Sequence, residues 1–485
     1  MAVMVTDHRR SVQPKIGFLF LSTILLISNC ADVYAGDWKF SPRVDSSLSY
    51  IDNIGLASAD NAESSGVFEV SPGFGLLAEG RRLHANIDYK LQSLFYSNDP
   101  IGGKGGDSKY FHNLRSSINS ELVQRLLFID ASASVAQQSS SALGKSSLDN
   151  YSITQDRGTT SRYSLSPYFR HQIGNGLRSE LRYRYDEIDG KKEIVNNVKI
   201  QTYSLAVNSG SMLQRWQWTL DAKSSDLKYD TQSDQTHNSG DFGIRYRATS
   251  RTILSAHSGT EKIKYLPNLG ETGGDYWNIG MEWSPGKRSK VSMQAGERYY
   301  GRSYGLSLSH RIRHGKIGVD YKEDLTNRSF VLQESQISAS PSNGASSTPA
   351  SEALPVLTNA IFLRKSFVAY LDWSRGKAFA NLRLSNTNDN FQQSVNREHT
   401  QSLEASWRLR ASQNMTFNIS AYYRDRELLP TRGSESLSQI EMTLTRNIWE
   451  GAKASASVTN TNLNADNNNL DYSQNRLSLA INMHW

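Results

Sequence analysis

The sequence predicts an all-β fold. The expected architecture is a single transmembrane antiparallel up-and-down β-barrel of about 22 strands (20–22), preceded by a cleaved signal peptide. Three observations lead to this prediction. Apolar and polar residues alternate one for one along many segments, the connections between segments alternate between short and long, and the chain ends on an alternating segment whose last residue is aromatic.

The first 35 residues of the chain differ in kind from the rest. Basic residues precede the apolar run "IGFLFLSTILLI", which is too short to span a bilayer as a helix. Small residues follow at Val33 and Ala35, as at a signal-peptide cleavage site. We therefore expect residues 1–35 to form a signal peptide and residues 36–485 to form the outer-membrane β-barrel.

The cysteine content fits this division of the chain. Cys30 is the only cysteine and lies before the expected cleavage site, so the mature chain would contain no disulfide. Asn29 is a poor residue before a lipidated cysteine, and the residues after "HRR" fit a twin-arginine signal poorly. Lipidation and twin-arginine export stay open as less favoured alternatives.

The alternation places one class of side chain on each face of a sheet. Leu181 and Tyr183, for example, alternate with Arg182 and Arg184. The same pattern occurs at residues 38–50, 216–221, 242–248, 403–410 and 415–423. The segments run to roughly 9–15 residues, a length suited to a tilted membrane-spanning strand, and no long stretch shows a helical period.

The lengths of the connections indicate which end of the barrel faces the periplasm. Short ones such as "AEGRR", "SPGKRS" and "SRGK" alternate with long ones such as "DNIGLASADNAESSG", and "RYYGRS" is one short link where a long one is due. This is typical of periplasmic turns and outer loops. A closed barrel also explains a mean hydropathy of −0.54, because only one face meets lipid. A secreted β-sandwich or β-solenoid is less favoured, since its strands are shorter and no fixed repeat is present.

The C-terminal segment "NRLSLAINMHW" is expected to pair with the first strand and close the barrel. Its apolar residues resemble the C-terminal signal that the bacterial barrel-assembly machinery recognises. They are Leu477, Leu479, Ile481, Met483 and Trp485. The expected partners are therefore outer-membrane lipid, lipopolysaccharide and that machinery.

The N-terminal part resembles a known family. The residues that carry the likeness are "YIDNI" at 50–54, "SPG" at 71–73 and "EGR" at 79–81, within residues 38–96. They resemble the PEP-CTERM-system-associated outer-membrane β-barrel proteins, which are related to β-barrel porins; Ile51 stands where that family usually has Thr. The resemblance implies a Gram-negative outer-membrane protein linked to exopolysaccharide production and its secretion proteins.

No catalytic or metal-binding constellation stands out in the sequence. It contains no GxSxG, HExxH or P-loop motif, and its histidines are scattered. We therefore expect no enzymatic activity, no cofactor and no metal. The excess of 54 Lys and Arg over 47 Asp and Glu is spread along the chain, which does not favour nucleic-acid binding.

Charged residues that alternate with aromatic ones are expected to line the lumen, where an arginine-rich wall would favour anionic or sugar-like solutes. The candidates are Arg182, Arg184, Arg245, Arg247, Arg408, Arg410, Asp221 and Glu404. Further candidates are Lys39, Arg43, Lys90, Arg476, Asp45 and Asp88. Alternatively, these charges form ion-pair ladders between strands that only stiffen the barrel.

The sequence thus favours a porin or conduit associated with exopolysaccharide biosynthesis or secretion. Alternatives are an occluded scaffold barrel that anchors an envelope secretion complex, and, less favoured, a barrel enzyme acting on lipid or polysaccharide. The sequence leaves open whether the lumen is open, flattened, or filled by inward-folded loops such as residues 325–358.

Overall fold

The computed structural model describes residues 36–485 with gaps. The gaps are residues 99–107, 140–146, 155–156, 175, 191–196, 211–212, 214, 267–269, 328, 330, 332–359, 393–395, 430–432 and 467–469. The expected signal peptide, residues 1–35, lies outside the described residues. So does most of the segment 325–358.

The described chain forms 22 strands and one short 3₁₀ turn at Ala59–Asn61. The first eleven strands are β1 Asp37–Ile51, β2 Ser65–Glu79, β3 Leu83–Tyr96, β4 Ser108–Val123, β5 Leu127–Ser139, β6 Arg157–Ile173, β7 Leu177–Gly190, β8 Val198–Asn208, β9 Trp216–Tyr229, β10 Asp234–Arg247 and β11 Thr252–Leu266. The others are β12 Gly270–Gly286, β13 Ser289–Arg298, β14 Gly301–Ile312, β15 Gly315–Asn327, β16 Ile361–Arg375, β17 Ala378–Phe391, β18 Arg397–Arg410, β19 Met415–Leu429, β20 Gly433–Trp449, β21 Ala452–Ala465 and β22 Tyr472–His484.

Each strand pairs antiparallel with the next, and the last pairs with the first. The seam runs from Arg43 opposite His484 to Ile51 opposite Arg476, with Leu48 opposite Leu479. All strands therefore belong to one 22-stranded sheet that closes on itself. The predicted fold class and strand number are confirmed, and the C-terminal segment closes the barrel as expected. Its recognition by the assembly machinery stays a prediction.

The outer face of the sheet is apolar. On β22, Leu477, Leu479 and Ile481 are 54%, 58% and 44% exposed, which in a membrane means contact with acyl chains. Exposed tryptophans concentrate near the short turns: Trp38, Trp216, Trp283, Trp407, Trp449 and Trp485. Other exposed aromatic residues lie toward the opposite end: Tyr50, Phe68, Phe95, Tyr110 and Tyr304. These two belts bound an apolar band, as the girdles of outer-membrane barrels do.

The turns at the two ends differ as the sequence predicted. The turns after even-numbered strands are short, for example Lys287–Arg288 and Gly376–Lys377. Several connections after odd-numbered strands are longer, as between β1 and β2. Those after β9, β11, β13 and β19 have two to four residues, and Tyr299–Tyr300 between β13 and β14, the short link that the sequence indicated, is the shortest. Because short turns of such barrels face the periplasm, we call this the periplasmic end and the other the extracellular end.

In the described part of the chain, no helix is long and apolar enough to cross a membrane.

We expect the two faces of one strand to differ sharply in their tolerance of charge. Met442 of β20 is 49% exposed on the outer face, while its neighbour Thr443 points inward and donates a 3.1 Å hydrogen bond to Glu441. Met442→Arg should destabilise the barrel by about 2–4 kcal/mol because it puts a cation into hydrocarbon. Thr443→Arg should cost much less, since the new cation lies beside Glu441. Urea unfolding in lipid vesicles measures both, and equal losses would contradict the assigned faces.

Candidate functional site: the barrel lumen

The predicted lumen residues lie on the inner face of the sheet. Arg182 and Arg184 alternate with Leu181, which is 57% exposed on the outer face. Arg408 and Arg410 alternate in the same way with the exposed Trp407. The register of neighbouring strands places the other predicted residues on the same face: Arg245 and Arg247 on β10, Asp221 on β9 and Glu404 on β18.

Three of the six arginines form ion pairs. Arg182 donates to Asp130 at 2.8 Å and to Glu180 at 3.0 Å, and its guanidinium lies 3.8 Å from the centre of the Tyr168 ring. Arg184 pairs with Asp186 at 2.7 Å. Arg245 pairs with Glu282 at 2.7 Å across two strand boundaries. These contacts fit the alternative in which luminal charges form ladders between strands.

The other three arginines lie nearer the periplasmic end and have a different environment. Arg247, Arg408 and Arg410 are exposed, and none forms an ion pair with a described residue. Arg410 packs over the Phe379 ring at 5.3 Å. Asp221 and Glu404 likewise form no ion pair within the described chain. These arginines are therefore accessible to an anion in the lumen.

A second group of charges lies on β1, β2 and β3. Arg43 binds Asp88 through two hydrogen bonds of 2.5 and 2.8 Å. Lys90 lies between two carboxylates, 3.2 Å from Asp45 and 3.1 Å from Glu69. The counter-charges expected from the sequence thus neutralise this part of the wall.

The first extracellular connection, residues 52–64, folds inward over this wall. Asn53 organises its start, since its side chain accepts a hydrogen bond from the Ala57 backbone and donates to the Ser473 carbonyl at 3.0 Å. Ile54 and Leu56 are fully buried. Leu56 has a positive φ of 52°, which is unfavourable for a residue with a side chain. Burial of that side chain offsets the backbone strain.

Leu56 contacts the inner face of the last strands. It packs with Leu437 of β20, Leu463 of β21 and Tyr472 of β22 in one buried cluster. Ile54 packs instead with Val67 of β2 and with residues of β1 and β3. This connection therefore bridges the seam between β22 and β1 from inside the lumen.

Residues 147–154, from the connection between β5 and β6, lie against the first connection. The amide of Ile153 donates to the Ile54 carbonyl at 2.9 Å, and both side chains belong to the same buried cluster. Asn150 donates to Gln92 of β3 at 2.8 Å, and Asp149 pairs with Arg476 of β22. We call residues 53–57 and 147–154 together the inner layer. Because the inner layer packs on the inner face of the sheet at the seam, this part of the wall has two packed layers.

Tyr151 anchors the inner layer to the wall. Its hydroxyl donates to the Glu69 carboxylate of β2 and lies 3.2 Å from the Ser47 hydroxyl of β1. The Arg476 guanidinium stacks over its ring at 4.7 Å. Burial, together with the Glu69 charge, raises the pKa of the Tyr151 phenol above its usual value. The hydroxyl therefore stays a donor at physiological pH.

Contacts also cross the extracellular end on the opposite side of the barrel. Asn327 at the end of β15 donates to Gln235 of β10 at 3.3 Å, and the Ser329 hydroxyl lies 3.2 Å from that of Tyr229 on β9. Ile361 packs with Ile263 and Tyr265 of β11. Between them, the short β13 and the two-residue link to β14 leave the extracellular rim low.

A buried charge cluster lies on β18, β19 and β20. Arg424 and Glu435 are 1% and 2% exposed and form a 2.8 Å ion pair. Arg426 lies 3.4 Å from Glu398 and 3.9 Å from Glu435. Buried charges of this kind require close partners because desolvation is costly. The cluster fixes this part of the wall and presents no accessible charge.

Alternation in the sequence indicated the strand face of the predicted luminal arginines but gave no sign of the inner layer. Alternation fixes the face of a strand residue, whereas Tyr151 and Glu69 are 82 positions apart and show no pattern. One signal was present: "YIDNI", quoted for the family resemblance, contains the buried Ile51, Asn53 and Ile54. Among the described residues, no group of three or more metal-ligating side chains comes together.

The comparisons with known proteins concern the fold. No protein-family model matches the chain, and no curated protein is significantly similar to it. The structure resembles the FrpB iron transporter (F5-1 variant) of Neisseria meningitidis, with a TM-score of 0.53 and 11% identity, covering 94% of this chain and 84% of that chain. It also resembles the siderophore receptor PirA of Acinetobacter baumannii, with a TM-score of 0.54 and 8% identity, covering 92% and 80%.

At these identities the likeness shows a shared fold. Together with the apolar outer face and its aromatic belts, that fold defines the class: the chain is a bacterial outer-membrane β-barrel of 22 strands.

We expect Tyr151→Phe to loosen the inner layer without opening the barrel. The variant removes one of the donors to the buried Glu69 carboxylate, which Ser71 and Lys90 also contact, and we expect a loss of about 1–3 kcal/mol in local docking. Hydrogen exchange at the Ile153 amide should speed up by roughly tenfold or more. Tyr110→Phe is the control, because Tyr110 is 57% exposed on the outer face. Unchanged exchange at Ile153 would mean that Tyr151 does not anchor the layer.

Proposed function

We propose that the protein is an outer-membrane conduit that passes anionic or sugar-like solutes through its charged lumen. The observation that carries the proposal is the set of exposed inner-face arginines without ion pairs, Arg247, Arg408 and Arg410. Cationic side chains that line a pore favour anions. A purely structural ladder would leave no such cations, because each would be matched by a carboxylate, as Arg184 is by Asp186.

The neighbours of similar fold support transport in general terms. FrpB is described as an iron transporter and PirA as a siderophore receptor, and both barrels align over most of their length with this one. A barrel of this strand number is wide enough to hold a large solute. The likeness does not carry the identity of that solute.

We infer exopolysaccharide as the substrate class from the sequence resemblance of residues 38–96 to the PEP-CTERM-associated family. A linear polysaccharide needs a long passage with many weak contacts, and the lumen offers mixed charges and hydroxyl groups along its wall. Porin activity, a link to exopolysaccharide secretion proteins and the absence of enzymatic activity all belong to this proposal.

An occluded scaffold barrel is the second candidate, and the inner layer favours it. Residues 53–57 and 147–154 pack against the extracellular half of β1, β2, β3 and β20–β22 inside the lumen. In such a protein, the loops would anchor an envelope secretion complex and no solute would pass. A barrel enzyme is a weaker third candidate. Turnover of lipid or polysaccharide that one carboxylate or histidine substitution abolishes would support it.

Planar-bilayer conductance tests the conduit. The parent protein should conduct ions with a preference for anions, and Arg408→Glu with Arg410→Glu should reverse that preference. The reversal potential in asymmetric KCl gives the ratio of anion to cation permeability. We expect this ratio to change on the order of tenfold in the double variant.

Arg446→Glu is the outer-face control for this experiment, and each single variant, Arg408→Glu or Arg410→Glu, is compared with it at equal change in charge. Arg446 lies on β20 at the same end of the barrel, on the opposite face from Thr443, and is also exposed. Its substitution should leave the permeability ratio unchanged. Absence of conductance in the parent would contradict the conduit and favour the scaffold. Conductance with an unchanged ratio in the double variant would contradict the role of the two arginines.

A further inference from the structure

The periplasmic turns carry a strongly one-sided charge. The ten short turns that join even-numbered strands to the next strand contain nine basic residues and one acidic residue, Glu450. The basic residues are Arg81, Arg82, Arg125, Arg215, Arg251, Lys287, Arg288, Arg313 and Lys377. We call these nine residues the basic rim. A turn needs glycine and polar residues, but nothing in turn geometry requires so many cations.

The basic rim is accessible. All nine side chains belong to exposed residues, and none forms an ion pair within the described chain. Asp37, Glu79 and Glu121 at periplasmic strand ends form no ion pair with these cations within the described chain. One contact is made by the Arg251 guanidinium, which donates to the Pro285 carbonyl at 3.2 Å. The charge is thus available to an external partner.

The positive charge continues into the mouth of the lumen. Arg247, Arg408 and Arg410 lie on the inner face at the periplasmic ends of β10 and β18, and Lys39 and Lys316 are exposed on the inner face of β1 and β15 at the same end. A lipid headgroup outside the barrel cannot reach these inner-face cations. A long solute that threads the mouth can meet both groups.

The extracellular connections have the opposite balance in the sequence. The connections after odd-numbered strands contain thirteen acidic and six basic residues. The described acidic residues of the first connection are Asp52, Asp60 and Glu63, with no basic residue between β1 and β2. In the sequence, the connections at the two ends therefore differ in net charge, which is positive for the periplasmic turns and negative for the extracellular connections.

This polarity bears on direction. A cleft lined by one sign of charge raises the local concentration of the opposite ion and speeds its capture. An anion that approaches from outside first meets net negative loops, whereas one in the periplasm first meets the basic rim. A single exposed ion pair contributes little to binding. Several exposed cations therefore bind strongly only to a ligand that carries several negative charges.

We propose that the basic rim and the luminal arginines behind it form a capture site for a linear polyanion, an acidic polysaccharide in chemical class, that enters from the periplasm. The inference rests on the proposed conduit function and deepens it, since it assigns the charge of the substrate and the side from which it is loaded. A reaction that makes a carboxylated or otherwise anionic glycan must precede it.

Binding of polygalacturonate to the purified barrel in detergent tests the capture site directly, because it requires no passage through the lumen. The parent should bind polygalacturonate in low salt. Binding should be lost as the salt concentration rises toward about 0.5 M, where the Debye length falls to a few ångströms. Neutral dextran should not bind. The rim variant should bind polygalacturonate roughly tenfold more weakly. It combines Arg81→Glu, Arg82→Glu, Lys287→Glu and Arg288→Glu.

The control variant changes the net charge equally at the opposite end of the barrel. It combines Lys199→Glu, Lys228→Glu, Lys262→Glu and Lys264→Glu, which are exposed residues near the extracellular ends of β8, β9 and β11. This variant should keep parental affinity. Equal losses in the two variants would show that only total charge matters and would overturn the proposal, as would parental affinity in the rim variant.

The outcomes separate this inference from the conduit itself. A barrel that binds polygalacturonate through its rim but shows no conductance would contradict the conduit function and leave the rim as a docking surface for the polyanion. A conducting barrel whose rim variant binds polygalacturonate with parental affinity would contradict the capture site alone. Loss of rim-dependent binding in phosphatidylglycerol nanodiscs, but not in phosphatidylcholine nanodiscs, would assign the rim to lipid headgroups and overturn the proposal.

Discussion

The closure of the sheet between β22 and β1 is the constraint on which the rest of the structure depends. Backbone amides in hydrocarbon need partners within the protein, so a membrane-spanning sheet cannot keep a free edge. The nine residue pairs from Arg43 with His484 to Ile51 with Arg476 supply those partners. Closure also separates two environments, and every strand must then be apolar outside and polar inside. The low mean hydropathy follows from this division.

The inner layer reinforces the seam from inside the lumen. The inner layer joins β22 to β1 a second time, through Leu56 on one side and Ile54 on the other. Tyr151 and Arg476 add polar anchors at the same place. The extracellular half of this wall is thus covered by the inner layer and its charges are paired, while the periplasmic mouth carries exposed cations such as Arg408 and Arg410. This division gives the barrel one end suited to holding structure and another suited to attracting an anion.

Period-2 alternation predicted the fold, the strand number and the face of residues such as Arg182 and Arg408, because a strand allows only two side-chain directions. The sequence could not show that Arg184 is paired and Arg408 is not, since that depends on whether a carboxylate lies on the same or a neighbouring strand. Nor could it show the inner layer. Loop residues such as Tyr151 follow no period, and their contacts lie far away in the sequence.

Cross-linking across the seam tests the central claim most directly. The hydroxyls of Ser49 on β1 and Ser478 on β22 are 2.8 Å apart, and Cys30 is the only native cysteine. Ser49→Cys with Ser478→Cys should form a disulfide in the folded protein as readily as Ser385→Cys with Ser402→Cys, a pair on adjacent strands whose hydroxyls are 2.6 Å apart. A circularised species on denaturing gels would report it. Cross-linking of the second pair without the first would mean that the cylinder is open.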